Sequence, residues 1–331
     1  MARILITGGA GMIGSNIAGR LAARGDCDIV VCDWLGQAHE AKWKNLARHP
    51  ITDFIAPEHL FAYLDGEAGR IEAVVHMGAI SSTTETDVDL IVRTNINLSR
   101  ALWDWCAAHR KPLVYASSAA TYGDGAGGFE DDNSLAALEA LEPLNAYGWS
   151  KKVFDIYAVR AALKGHAPPH WAGLKFFNVY GPNEQHKGAQ KSVVAHMYPK
   201  AAAGEPVTLF RSHNPRYPDG GQLRDFVYVR DCADVVEWLL TEKIDGGILN
   251  VGTGKARSFA DLAASLYAAL GAPAAITYVD TPEAIRDKYQ YFTEADMSRL
   301  RKLGYGRQFT PIEAGVADYV NAYLKTDNPH A

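Results

Sequence analysis

The run Arg3-Ile-Leu-Ile-Thr7-Gly8-Gly-Ala-Gly11-Met12-Ile13-Gly14 decides how this chain folds. Arg3–Thr7 is a short apolar run closed by glycine, which suits a buried strand. Met12–Ala23 carries Ile13, Ile17 and Leu21 at helical spacing. Between the two, Gly8, Gly11 and Gly14 fall three apart, and their lack of side chains lets the backbone turn tightly and approach a pyrophosphate. The helix that opens there offers unpaired N–H groups and the positive end of its dipole. Asp33 stands nineteen residues past Gly14, after a second strand-like run, Asp28–Cys32. Strand, glycine turn, helix, strand and terminal acid together make the context a dinucleotide site requires, which a bare glycine-rich turn lacks.

Asp33 is placed to accept hydrogen bonds from adenosine ribose hydroxyls, which favours NAD because a carboxylate repels a 2′-phosphate. Lys42, Lys44 and Arg48 follow within a loop or turn and pull toward NADP, unless they are only a solvated helix face.

Working outward, Glu72–His76 and Pro112–Ala116 are again strand-like, with helical segments between them, one near Asp89–His109. The repetition predicts right-handed βαβ units and a parallel sheet whose apolar strands are buried on both faces. Asn145–Lys164 reads as a helix and Gly173–Asn178 as a strand. Beyond about residue 180 the pattern loosens, and 212–222 is crowded with Gly, Pro, His and Asn. Phe226–Val229, Ile248–Val251 and Ile276–Val279 read as short strands, Phe259–Leu270 and Ile312–Leu324 as helices, and the tail 326–331 as frayed. The expectation is an α/β protein. A Rossmann-type doubly wound parallel sheet occupies residues 1–180, and a smaller α/β C-terminal substrate lobe occupies 181–331, with some chain crossing back around 226–252.

The 331 residues fit roughly two domains. Basic side chains number 33 against 38 acidic, a balance that speaks against a nucleic-acid binder. The four cysteines, at 27, 32, 106 and 232, include no CxxC pair and are too few for a disulfide scaffold, so free thiols are expected. No apolar run approaches the ~18 residues of a membrane span, and the N-terminal apolar stretch is too short for a signal segment. The expectation is a cytoplasmic protein with no membrane partner. Pro168 and Pro169 break the helix that His166 and His170 would need as a metal pair, so no metal site is expected. His76 reads as a packed group, and Leu102–Cys106 as a helix packing face.

Ser117 and Ser118 end the strand that starts at Pro112, where open α/β sheets bind ligands. Tyr147-Gly-Trp-Ser-Lys151 puts Tyr147 and Lys151 four apart, on one helical face. A phenol titrates near 10 and is a poor base at neutral pH, but a nearby ammonium and a positive nicotinamide ring favour the phenolate. Ser118 is placed to bind the substrate hydroxyl and the phenol together. A Tyr–Lys pair alone is a common accident of helical sequence. Behind the glycine loop and the serine-rich strand end, in this order, it is not.

The segments TGGAGMIG (7–14), YASSAATYG (115–123), YGWSK (147–151) and FFNVYGP (176–182) resemble the extended short-chain dehydrogenase/reductase family of sugar-nucleotide epimerases, dehydratases and reductases, across the whole chain. Dehydratases of that family carry an Asp-Glu pair after the strand-end hydroxyl. Ser118-Ala119-Ala120 has none, so the resemblance points to an epimerase. HMGAISSTTETD (76–87), FNVYGPNEQHKG (177–188), DFVYVRD (225–231) and KYQYFTEAD (288–296) are similar to the branch that inverts C6 of an ADP-linked heptose for the lipopolysaccharide core.

That resemblance implies an isomerase using NADP, with NAD as the alternative, and a nucleotide-sugar substrate. It also implies a homo-oligomer, a pentamer. Its catalytic residues fall on Tyr147, Lys187 as second acid/base, Ser118 as assisting hydroxyl, and Lys151 on the nicotinamide ribose. Cofactor contacts fall on Gly8, Gly11, Met12, Ile13, Gly14, Asp33, Trp34, Lys42, Met77, Gly78, Ala79, Ile80, Ser81, Lys151, Val179 and Lys187. Substrate contacts fall on Ser82, Asn178, Ala189, His196, Phe210, Arg224 and Tyr289, with Arg224 suited to clamp a diphosphate.

A second acid/base is physically reasonable. Oxidation leaves a planar carbonyl, and hydride must return to its other face. Lys187 acts as a base only if burial or the cationic nicotinamide lowers its pKa, and holding phosphate or cofactor is its plainer role. The chain departs from the branch at Pro57, Trp34 and Ala189, and in an insertion at 211–223. Two other readings compete. A UDP-hexose 4-epimerase reorients the whole sugar and reuses one tyrosine, so Lys187 would matter little. A non-catalytic dinucleotide-sensing regulator would not need Ser118, Tyr147 and Lys151.

Overall fold

The computed structural model describes residues 2–37, 41–286 and 290–331. Its first half holds β1 (Ala2–Thr7), α1 (Met12–Ala22), β2 (Cys27–Cys32), β3 (Asp53–Ile55), α2 (Leu60–Glu67), β4 (Ile71–His76), α3 (Val88–Ile91), α4 (Leu98–Ala108), β5 (Leu113–Ser118), α5 (Leu135–Ala140), α6 (Ala146–Leu163) and β6 (Trp171–Phe176). The second half holds β7 (Asn178–Tyr180), α7 (Val193–Ala202), β8 (Val207–Phe210), β9 (Leu223–Arg224), β10 (Phe226–Tyr228), α8 (Val229–Glu242) and β11 (Gly247–Val251). It continues with β12 (Arg257–Ser258), α9 (Phe259–Leu270), β13 (Ile276–Val279), α10 (Glu283–Arg286), α11 (Ser298–Lys302) and α12 (Ile312–Tyr319).

Seven strands form one sheet in the order β3-β2-β1-β4-β5-β6-β11, and every pairing is parallel. This is the expected doubly wound Rossmann-type sheet. Chain direction across the sheet reverses between β1 and β4, which opens a crevice beyond their carboxyl ends. The strands are apolar on both faces for a visible reason. Ile4, Ile6, Ile29, Val31 and Val75 pack into the core on one side, and Leu5, Val30, Val74, Leu113 and Tyr115 into the core on the other.

A third core, including Tyr180, Met197, Phe226, Leu266 and Tyr319, is built from the chain beyond β6 together with Met12 of α1. Around it lie the short pairings β7–β10 and β8–β13, both parallel, and β9–β12, antiparallel. β11 leaves this region and extends the large sheet beside β6.

Three local readings change. The helix expected over 89–109 is interrupted by a wide turn, Val92–Asn97, of π type. There the buried Asn95 side chain accepts from Ile80 N and donates to Ile80 O and Ser150 Oγ, at 2.8, 2.9 and 3.0 Å. The strand expected over 173–178 ends at Phe176, and the chain shifts so that Asn178–Tyr180 pairs with β10 instead. The tail is docked rather than frayed. His330 is buried with Nδ1 2.7 Å from Asn45 Oδ1, and Ala331 N donates to Asn183 Oδ1 at 2.8 Å. Among the described residues no helix is long and apolar enough to cross a membrane.

Candidate active site

The glycine turn is shaped by contact as well as by conformation. Gly8 has φ +64°, and a Cβ on it would lie 2.5 Å from Gly78 N. A Cβ on Gly14 would lie 2.2 Å from Gly8 O. The ends of β1, α1 and β4 therefore meet backbone to backbone. No side chain caps α1 at Gly11, so its first N–H groups are free to bind an anion.

A cavity of about 920 Å³ opens here. It is lined by Gly8, Gly11, Met12, Ile13, Gly14, Asp33, Lys42, Met77, Gly78, Ala79, Ser81, Ser118, Tyr147, Lys151, Val179, Lys187 and Ala189. Residues singled out in six separate segments thus come together. Thr83, Thr84, Ser117, His186 and Gln190 line it too. Ser117 is expected there from its place at the strand end; the motifs give the other four no role, although the hydroxyl-rich run Ser81–Thr84 is a sequence signal for the threonines.

At the adenosine end, Asp33 Oδ2 accepts from Ala10 N at 2.9 Å, which locks the acid to the glycine turn. Its Oδ1 accepts from Lys42 Nζ at 2.7 Å, and Lys42 also donates to Trp34 O at 2.7 Å. Lys42 is therefore part of the site and not a solvated face. Arg48 points elsewhere, donating to His330 O. Trp34 is 52% exposed, and its indole donates to Glu58 Oε1 at 2.8 Å.

At the reactive end, β5 delivers Ser117 and Ser118, and α6 delivers Tyr147 and Lys151. Asn145 caps α6 by accepting from Gly148 N at 2.8 Å. Gly148 lets the helix press on the strand end, since a Cβ there would lie 2.6 Å from Ala120 O. Lys151 is 3% exposed and donates to Ala116 O at 2.7 Å, with its Nζ 6.0 Å from the centre of the Tyr147 ring. Burial pulls Lys151 down to about 8, against the nearby Asp155 carboxylate, which raises it. Burial also pushes the Tyr147 phenol up, and the Ser118 hydroxyl opposes that shift. Desolvation outweighs the Ser118 bond at the phenol, so the positive nicotinamide ring is the part of the expected phenolate stabilisation that a bound cofactor must add.

Beneath this pair lies a buried ion pair that the sequence reading missed. Lys175 Nζ stands 3.4 Å from Asp155 Oδ2, donates to Thr121 Oγ1, and lies 4.5 Å from the Tyr122 ring centre. Asp155 also accepts from Tyr115 OH at 3.0 Å and Ser117 Oγ at 2.7 Å. A lysine inside the apolar strand GLKFFN was its one visible signal. His76 is packed, with Nδ1 2.6 Å from Thr7 Oγ1 and Nε2 2.9 Å from Ser99 Oγ. Ser99 Oγ donates to Asn95 O at 2.6 Å, so the imidazole carries its proton on Nε2 and accepts from Thr7. Burial pulls it down to about 3, which keeps it neutral.

Lys187 enters from another segment, on the short turn Gln185–Gln190. Its Nζ reaches 3.8 Å from Met12 Sδ, and burial lowers its pKa while Glu184 raises it.

The remaining candidates do not line the cavity. Ile80 is held through its backbone by Asn95, and Ser82 bonds Thr84 at 3.0 Å. Asn178 opens β7, Phe210 ends β8, and His196 Nε2 lies 3.2 Å from Ala189 O. Arg224 is buried and donates to the carbonyls of Leu223 and Gln290. Tyr289 lies outside the described residues. The close-packed glycines, uncapped helix start, carboxylate at the end of β2 and buried lysine fit a nicotinamide dinucleotide.

The profile of the NAD-dependent epimerase/dehydratase family matches residues 4–252. A protein of Fusobacterium nucleatum named ADP-L-glycero-D-manno-heptose-6-epimerase is 44% identical over 335 residues, spanning 99% of both chains. The solved structure of the Helicobacter pylori protein of that name is 28% identical, with a TM-score of 0.79 over 97% of this chain and 96% of that one. A Thermus thermophilus UDP-glucose 4-epimerase solved with NAD is 26% identical, with a TM-score of 0.71 over 95% of this chain and 96% of that one.

Proposed function

The chain belongs to the NAD-dependent epimerase/dehydratase family, and we propose that it inverts C6 of ADP-D-glycero-D-manno-heptose to give the L-glycero epimer. The reaction makes it an isomerase. The observation that carries this reading is that Tyr147 and Lys187, two groups able to move protons, line one cavity from different segments. A 4-epimerase that reuses one tyrosine has no need of the second.

A nicotinamide dinucleotide held by the Gly8–Gly14 turn, Asp33, Lys42 and Lys151 would supply the hydride acceptor and donor and, when oxidised, a positive charge that favours the phenolate. The chain supplies the rest. Tyr147 takes the proton of the C6 hydroxyl while Ser118 hydrogen-bonds the same oxygen. Lys151 holds the nicotinamide ribose, and its charge stabilises the phenolate. After the carbonyl presents its other face, Lys187 gives a proton to the oxygen as hydride returns to carbon. Burial lowers Lys187, so it can also accept a proton in the reverse direction. One hydride and one proton leave and one of each return, so no net oxidation occurs; Tyr147 then loses its proton to water and Lys187 regains one from it, which restores both groups.

We propose NADP as the form bound, supported by Lys42 beside Asp33. Ala189, His196, Phe210, Arg224 and Tyr289 act on the nucleotide sugar from the lobe 181–331, and Ser82 and Asn178 from the dinucleotide domain 1–180, in a cytoplasmic homo-oligomer that serves lipopolysaccharide core assembly. The test is Tyr147→Phe and Lys187→Ala. Each lowers turnover by about 10²–10⁴-fold, the range of general acid–base catalysis, while NADPH still binds. Turnover at the unmutated level in Lys187→Ala refutes the two-group mechanism and favours a 4-epimerase.

A further inference from the structure

Glu184 takes no part in the reaction just described, yet it is fully buried. Its carboxylate accepts from Ser192 N, from Ser192 Oγ at 2.6 Å and from Tyr319 OH at 3.0 Å. Ser192 caps α7, and Tyr319 is the last residue of α12. Between Glu184 and Ser192 runs the turn that carries Lys187, and Lys187 N donates to Glu184 O at 3.0 Å. One carboxylate therefore ties both ends of the turn to each other and to α12.

Two other side chains touch the turn itself, Asn45 Nδ2 at 3.2 Å from His186 Nδ1 and His196 Nε2 at 3.2 Å from Ala189 O, and neither ties its two ends together. None of residues 185–190 is buried, so packing does not fix its shape. Gly188 at its middle has φ +54°, and Gly188, Ala189 and Gln190 are exposed. On its upstream side the backbone is anchored to the dinucleotide half. Asn183 Nδ2 donates to Ser15 Oγ at 2.9 Å, Asn16 Nδ2 to Pro182 O at 3.3 Å, and Asn45 Nδ2 to Asn183 O at 3.1 Å. Those bonds fix where the turn starts. Glu184 fixes where it ends, and so the arc on which Lys187 stands.

We propose that Glu184 is a positioning residue for Lys187, setting where the ammonium stands in the cavity, with Tyr319 and Ser192 holding the carboxylate in place. This rests on the reading of Lys187 as the second acid/base. Misplacing a reacting group by about 1 Å costs up to ~10²-fold, so Glu184→Gln is expected to lower kcat by about 10–100-fold. KM and the NADPH dissociation constant change by less, within about threefold, since Lys187 and Ala189 on the turn make only part of either binding site.

The test is a double-mutant cycle of Glu184→Gln with Lys187→Ala, read as kcat, KM and NADPH affinity. If Glu184 acts through Lys187, the double variant is no slower than Lys187→Ala alone. The proposal falls if Glu184→Gln slows the Lys187→Ala enzyme by the same factor as the unmutated enzyme, or if it leaves kcat unchanged. In both cases an inactive Lys187→Ala keeps the two-group mechanism standing. Unmutated-level turnover in Lys187→Ala overturns both. Should Glu184→Gln fail to fold, Tyr319→Phe runs the same cycle. It removes one donor, keeps the carboxylate, and is expected to give a smaller kcat loss with the same non-additivity.

Discussion

Replacing Lys175 by Met leaves the Asp155 carboxylate buried without its cation. The two side chains are 1% and 0% exposed and stand 3.4 Å apart, so water cannot take the place of either. Removing one partner of such a pair costs about 3–5 kcal/mol, far more than the pair's net worth. Tyr115 OH and Ser117 Oγ still donate to Asp155, which puts the expectation near the lower end. At ~2.1 cal/mol/K of unfolding entropy per residue, 331 residues give about 0.7 kcal/mol/K, so the melting temperature should fall by about 4–7 °C. Asp155→Asn combined with Lys175→Met removes the orphaned charge and is expected to recover at least half of that loss. Urea unfolding and thermal melts of the three variants measure it. A Lys175→Met variant within about 1 kcal/mol of the unmutated protein refutes the reasoning, as does a double variant whose loss equals the sum of the singles.

Acid should weaken the fold through His76. Its native pKa is pulled from 6.5 to about 3, so the unfolded chain binds the extra proton, and stability present above pH 6.5 is lost as pH falls toward 3. At 1.36 kcal/mol per unit this amounts to about 2 kcal/mol by pH 5, and His76→Gln should show that much less loss between pH 7 and 5. An identical pH slope in the variant contradicts it. Gly14→Ala places a Cβ 2.2 Å from Gly8 O and should weaken NADPH binding about tenfold or more by fluorescence titration; unchanged affinity refutes the tight turn. His330→Ala leaves the buried Asn45 Oδ1 without its donor and should cost about 1–3 kcal/mol in urea unfolding. No loss would mean the tail is not docked in solution.

The parallel sheet and the Gly8–Gly14 turn were legible because their signals are local: an apolar run, a glycine spacing and an acid one strand later. Ser118, Tyr147 and Lys151 were legible for the same reason, Ser118 ending β5 and the other two lying in the first two turns of α6, elements whose type their neighbours reveal. Pairings across the chain were not. Asp155 and Lys175 look like any charged residues in sequence, and only the approach of α6 to β6 makes them a buried pair. Asn95 widens a helix turn through a bond to Ile80, fifteen residues away, which helical periodicity does not register. The polar tail docks because Asn45 and Asn183 need partners, a demand that hydropathy does not express.

On this mechanism hydride leaves C6 and returns to it within one protein. This is tested by incubating the purified protein, with the cofactor it retains, and ADP-D-glycero-D-manno-heptose in D₂O without added NAD(P)H. NMR then resolves the two C6 epimers and the hydrogen isotope at C6. The account expects both epimers with protium at C6, because the returning hydride never exchanges with solvent. Deuterium at C6 would contradict it, and so would no epimer formed by protein shown to carry bound cofactor.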